Sequence, residues 1–161
     1  MIPVPSTTRS AATAKGENAH VRSYGNLCIL GDDQYFFHYE ALRMMSVYVP
    51  SLLIAVRLKV LTVVLGCFVA HTIEVWLYAG AFLLIYKAGL GSLKGEVEEH
   101  FADFLYFSAT SYSTMGIGDV YPSGALRLIS GIEGINGLFL IAWSTSFTYF
   151  VMNRLWPLHP D

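Results

Sequence analysis

Ser113-Thr114-Met115-Gly116-Ile117-Gly118-Asp119 is the stretch from which the fold is read. Two glycines on alternate residues, led by a threonine hydroxyl, suit a backbone whose carbonyls all turn one way, because glycine accepts the left-handed dihedrals this needs. If the carbonyls of Thr114 to Gly118 face a common axis and three more copies of the chain supply the same segment, the stacked oxygens replace the hydration shell of a cation. One copy supplies only one wall of such a site. A bare Gly-x-Gly fits a surface turn equally well, so context decides. Here the motif lies between two long apolar segments, in a chain that is 54% hydrophobic and only 14% charged, which is a membrane composition.

That composition also excludes other classes. A net charge of -2 over 161 residues, with no basic run interleaved with aromatics, gives no footing for a nucleic-acid partner. Cys28 and Cys67 have neither the number nor the spacing of a disulfide framework or zinc site.

Outward from the motif, residues 101–113 are apolar and aromatic but too short to span. A half-helix followed by irregular backbone is tolerated at membrane depth only where it is buried in protein or lines a water-filled path. Residues 60–87 and 125–153 are each long enough to cross a bilayer with tilt. The loop between them turns polar through Gly89, Gly91 and Gly95 and the acids Glu96, Glu98 and Glu99. Residues 35–59 hold Tyr35, Phe36, Phe37, Tyr39 and Tyr48, but Pro50 interrupts them, and the apolar run between Arg43 and Arg57 falls short of a ~30 Å hydrocarbon core. They are expected as an interfacial helix with aromatic anchors. Residues 1–34 lack periodicity and are expected as a disordered tail; translation starting at Met44 or Met45 would remove it. Residues 155–161 are expected as a short C-terminal tail, with no ligand-sensing domain expected after Arg154.

Arg43, Arg57 and Lys59 precede the first span and Arg154 follows the second, whereas the connecting region balances Lys87, Lys94 and Arg127 with five acids. The bias places both termini in the cytoplasm of a cell membrane.

Thr114-Met115-Gly116-Ile117-Gly118-Asp119 resembles the Thr-x-Gly-x-Gly-Asp selectivity filter of the potassium channel pore-domain family. Phe104 to Pro122 resembles its re-entrant pore loop, and Val60 to Trp156 its two-helix pore unit. The resemblance implies an all-α membrane protein with two transmembrane helices, a re-entrant pore helix and a filter, assembled as a homotetramer in the lipid bilayer. It implies K⁺ as permeant ion at Thr114, Met115, Gly116, Ile117 and Gly118, with no cofactor and no enzymatic role. Asp119, Thr110 and Ser113 are expected to brace the filter, residues 35–59 to match the slide helix, and Gly137 to match the hinge glycine. The sequence departs from the family at Ile117, where an aromatic usually packs outward, and at Thr110, which in some relatives is a carboxylate clamped to the filter aspartate. A non-selective Na⁺/K⁺ channel and a non-conducting regulatory subunit are the alternatives.

Ionisable residues within spans are costly, on the order of 2.5 to 3.5 kcal/mol each, and normally face protein. Cys67, His71, Glu74 and Tyr78 share one face of the first span. Counted from the outer ends, Glu133 levels with Tyr78 and Asn136 with Glu74. His71, Glu74, Glu133 and Asn136 are therefore expected in one buried network behind the filter, with at least one carboxyl protonated, acting as a static clamp or a pH-sensing gate. An intramembrane enzyme built on these residues lacks a nucleophile or a His-Glu-x-x-His spacing. On the second span Ser130, Gly134, Gly137, Ile141, Ser144, Thr145 and Thr148 form a small, polar stripe. It serves close helix packing, or a water-filled cavity lined by Ser144, Thr145 and Thr148.

Overall fold

A computed structural model describes residues 33–155. The expected tails fall outside the described residues, except for residues 33 and 34, which are helical, and Leu155, which closes the last helix. In chain order the elements are α1 (residues 33–51), α2 (Val56–Lys87), β1 (Leu93–Gly95), α3 (Phe101–Tyr112), β2 (Val120–Pro122) and α4 (Leu126–Leu155).

The two spans are α2, with 32 residues, and α4, with 30. At about 1.5 Å per residue each exceeds a ~30 Å hydrocarbon core and must tilt or project beyond it. Large apolar side chains such as Leu65, Phe68, Trp76, Leu138, Phe139 and Phe150 stay exposed along them, as expected of helices whose solvent is lipid. The chain starts α2 at Val56, four residues before the expected position 60, and so takes Arg57 and Lys59 into its first turns. The Lys59 ammonium donates to the Pro50 carbonyl at 2.7 Å, a cation on the free carbonyls at the end of α1.

Between the spans, α3 opens on Asp103, whose carboxylate accepts the backbone N–H groups of Glu98 and His100, each at 3.0 Å. Glu98 and Glu99 precede this end, but Asp103, inside the first turn, provides the negative charge that favours a helix N-terminus. The loop reading of residues 88–100 missed β1. It pairs antiparallel with β2, Lys94 opposite Tyr121, and three residues are too few for an alternating pattern to register. This ribbon anchors the far end of residues 113–119, while α3 anchors the near end.

The upper core gathers Tyr78 and Phe82 of α2, Phe104, Phe107 and Tyr112 of α3, and Leu126 and Ile129 of α4. Gly137 lets α4 close on the end of α3: a Cβ there would overlap the Tyr112 carbonyl. The helix runs unbroken through this residue. Gly134, one turn earlier, faces the Ser111 carbonyl less closely, at 3.3 Å from where its Cβ would stand.

Residues 35–59 differ from expectation. Instead of an interfacial helix lying across the entrance, α1 runs alongside the spans, parallel to α4. The Tyr35 hydroxyl donates to Asn136 at 3.1 Å, His38 lies between Glu74 and Ser144, and Leu42 and Val49 share a buried cluster with Val63, Cys67 and Val151. Hydrophobic length alone argued against membrane depth. Partners for Tyr35 and His38 on α2 and α4 seat α1 beside the spans instead. These contacts engage residues upstream of Met44, and α1 ends one residue after Pro50, as proline requires.

Two alanine substitutions check the close approach. Gly137→Ala should destabilise the folded chain by about 1–3 kcal/mol, because backbone must move. Gly131→Ala, at an exposed helical position where a Cβ meets nothing within 4 Å, should be neutral or stabilising by up to ~1 kcal/mol. Thermal unfolding in detergent compares them.

Candidate functional site

The turn out of α3 carries an alternation of backbone handedness. Thr114, Gly116 and Gly118 have φ of 55°, 54° and 89°, while Met115 and Ile117 between them stay on the ordinary negative side. Alternating handed dihedrals turn successive peptide groups toward the same side, as a row of carbonyls facing one axis requires. Thr114 is the informative member, since a β-branched residue at positive φ is an outlier. Such strain, on the order of 1–3 kcal/mol, persists only where the surroundings over-determine it. Around Gly116 and Gly118 a Cβ would meet nothing within 4 Å, so dihedral angle, and not crowding, demands glycine there. All seven residues from Ser113 to Asp119 are exposed in the single chain.

Backbone bonds from α3 hold the near end. Thr114 N–H donates to Ser111 at 3.0 Å, and the Thr110 carbonyl accepts from both Met115, at 2.9 Å, and Gly116, at 3.3 Å. Thr110 therefore braces the turn through its main chain, while its hydroxyl bonds to Phe107 of its own helix. Ser113 does not brace the turn with its side chain either, because its hydroxyl returns to the Ala109 carbonyl at 2.7 Å. The side-chain brace comes from Tyr106, whose hydroxyl donates to Asp119 at 2.7 Å. The second Asp119 oxygen accepts the Val120 N–H at 2.9 Å. The bond to the carboxylate raises the Tyr106 phenol above its ordinary pKa, which keeps it a donor.

Behind this turn the expected single network is three separate clusters. In the first, Ser108 of α3 donates to Glu133 of α4 at 2.5 Å and also lies 2.8 Å from the Val75 carbonyl of α2. Glu133 is fully buried, and its other oxygen has no protein partner among the described residues. In the second, Asn136 donates to Tyr78 at 2.9 Å and accepts from Tyr35. Asn136 thus meets Tyr78, one turn from the expected Glu74, because α2 and α4 are offset along their axes. In the third, the fully buried Glu74 carboxylate receives His38, His71 and Tyr112.

The polar stripe of α4 splits by partner. Gly134 and Gly137 pack on α3. Ser144 is buried against His38 at 3.0 Å and so does not line a cavity. Thr145 is exposed, its hydroxyl bonded to the Ile141 carbonyl, and Thr148 is half-buried. Sequence reasoning missed Tyr106, Ser108, Tyr112 and His38 as partners. Each faces a residue at least 13 positions away, and no local pattern marks such a pair.

Two comparisons with known proteins bear on this geometry. A family described as ion channel matches residues 60–153, from the first turns of α2 to near the end of α4. The "Uncharacterized membrane protein YdjJ" of Bacillus subtilis (strain 168) is 30% identical over 103 residues, which cover 60% of this chain and 30% of that protein. The chain thus spans less than a third of the length of this relative. No solved structure matches.

A double-mutant cycle on Ser108 and Glu133 tests whether they hold α3 to α4. Ser108→Ala should cost about 1–3 kcal/mol by leaving a buried carboxyl without its donor. Ser108→Ala with Glu133→Leu should cost less than the sum of the single changes, with a coupling of about 0.5–3 kcal/mol by thermal unfolding.

Proposed function

Since the chain belongs to the two-helix ion channel family, we propose that it is one subunit of a homotetrameric channel that passes K⁺ down its gradient across a cell membrane. The carrying observation is the alternation of handedness at Thr114, Gly116 and Gly118 in a turn fixed at both ends. Carbonyls of Thr114, Met115, Gly116, Ile117 and Gly118 then coordinate the ion in place of water. A single chain supplies one wall, and the continuous exposure of residues 113–119 fits a surface completed by three other copies. The negative end of α3 points into the same turn, which favours a cation there. Selectivity and conduction are preorganised-backbone chemistry, with no catalytic group required.

Arg57 and Lys59 at the start of α2 and Arg154 at the end of α4 put those two ends in the cytoplasm. That assignment covers the pore unit only, because α1 begins beside Asn136, well above the cytoplasmic ends of the spans, and residues 1–32 lie outside the described residues.

A weaker discrimination between Na⁺ and K⁺ is the second reading, favoured by Ile117. Its side chain is 57% exposed and brings no hydroxyl to hold the diameter of the ring. The bond from Tyr106 to Asp119 supplies a substitute brace from the same helix.

Flux into liposomes under K⁺ or Na⁺ gradients decides between the readings. Gly116→Ala should abolish K⁺ flux, because a side chain at this φ costs roughly 1–2 kcal/mol in each of four copies. Undiminished, selective flux in that variant would refute the filter. Tyr106→Phe should leave flux but lower the K⁺ over Na⁺ preference, read from bi-ionic reversal potentials.

A further inference from the structure

The third polar cluster has the composition of a metal site. His38 Nδ1 lies 2.8 Å from Glu74 Oε1, and His71 Nδ1 lies 3.2 Å from Glu74 Oε2. One ligand atom from each of the three residues falls within 4.8 Å of the others. The Tyr112 hydroxyl, 2.8 Å from His71 Nδ1 and bonded to Glu74, stands as a fourth donor. Two imidazoles and a carboxylate form a donor set that suits a divalent transition ion, with Zn²⁺ bound at about 2.0–2.2 Å from each atom. A tetrahedron of that size separates its donors by about 3.3 Å, so a pair as far apart as 4.8 Å closes by about 1.5 Å to hold the ion.

The surroundings also match. His38 Nε2 lies 3.0 Å from the Ser144 hydroxyl. With an ion between Nδ1 and Glu74, a hydrogen on Nε2 donated to Ser144 would leave the Nδ1 lone pair for the metal, and metal-bound imidazoles are typically supported in this way through their other nitrogen. Glu74 is fully buried, and its ionic partners among the described residues are the two imidazoles. A buried carboxylate gains most from a cation. His71 is partly exposed, at 19% of its side chain.

We infer that His38, His71 and Glu74, with Tyr112 as fourth donor, bind a divalent transition ion of the Zn²⁺ type that staples α1 to α2 and to the end of α3. The ion fixes the helix that precedes the pore unit to the element from which residues 113–119 emerge. The inference goes beyond the channel reading and does not depend on it, because its test measures metal and not ion flux.

Full-length protein in detergent, stripped with chelator, is titrated with Zn²⁺ by calorimetry and with Co²⁺ by visible absorption. Expected are one ion per chain, a tetrahedral Co²⁺ spectrum bleached by Zn²⁺, and a higher unfolding temperature in Zn²⁺ but not in Mg²⁺. His71→Ala, which keeps the bond between His38 and Glu74, and His38→Gln should each abolish stoichiometric binding. Ser144→Ala should weaken it about 10–100-fold. Failure of the wild-type chain to take up Zn²⁺ or Co²⁺ would overturn the inference irrespective of how any variant folds. Undiminished uptake by both histidine variants would also overturn it, since the ion would then lie elsewhere.

Discussion

At membrane depth a peptide group has no water to turn to, and an unpaired one costs several kcal/mol. On the channel reading, the irregular turn after α3 is where this constraint presses hardest. The chain meets it by returning the N–H groups of Thr114, Met115 and Gly116 to carbonyls in the last turn of α3. Everything adjacent follows from keeping that helix end in place. Gly137 brings α4 against the Tyr112 carbonyl, Asp103 fixes the opposite end of α3, and pairing of β1 with β2 ties down the chain beyond Asp119. With both ends determined, the left-handed dihedral of Thr114 can be sustained, and strain is stored where the backbone is exposed.

Association between the helices rests on a different balance from that of a soluble core. Lipid is as apolar as leucine, so burying apolar surface between α2 and α4 gains little; close packing and interhelical hydrogen bonds carry the contact. The three polar clusters are placed accordingly. Ser108 with Glu133 joins α3 to α4, Asn136 with Tyr78 and Tyr35 joins α4 to α2 and α1, and Glu74 collects donors from α1, α2 and α3. Their separation matters, since a change at one cluster need not loosen the other two. Of the buried acids among the described residues, Glu133, with one oxygen lacking a protein partner, is less completely satisfied than Glu74.

Much of this was legible in the residue order. The spans, the half-helix and the turn showed because each is a property of a contiguous segment: apolar length, apolar length cut short, and glycine on alternate positions. His71, Glu74, Glu133 and Asn136 were recognisable as needing partners because ionisable and amide groups within apolar runs are expensive wherever they point. Their partners were not recognisable. Tyr106, Ser108 and Tyr112 look in sequence like any aromatic or small residue of an apolar helix, and His38 lies in a segment whose apolar length argued for the interface. Thr110 and Ser113 were expected to brace the turn, yet their hydroxyls turn back to their own helix, since a carbonyl three or four residues earlier is always in reach.

By itself, then, the sequence determined that the chain belongs in a membrane, that it holds two segments long enough to cross one, and that Gly116 and Gly118 suit left-handed backbone, because hydrophobic length and glycine dihedral freedom are local quantities. Tertiary structure alone decided that α1 lies against the spans, that Tyr106 holds Asp119, and that two histidines and a tyrosine converge on Glu74. Those outcomes depend on the axial offset and rotation of one helix against another, and packing sets both.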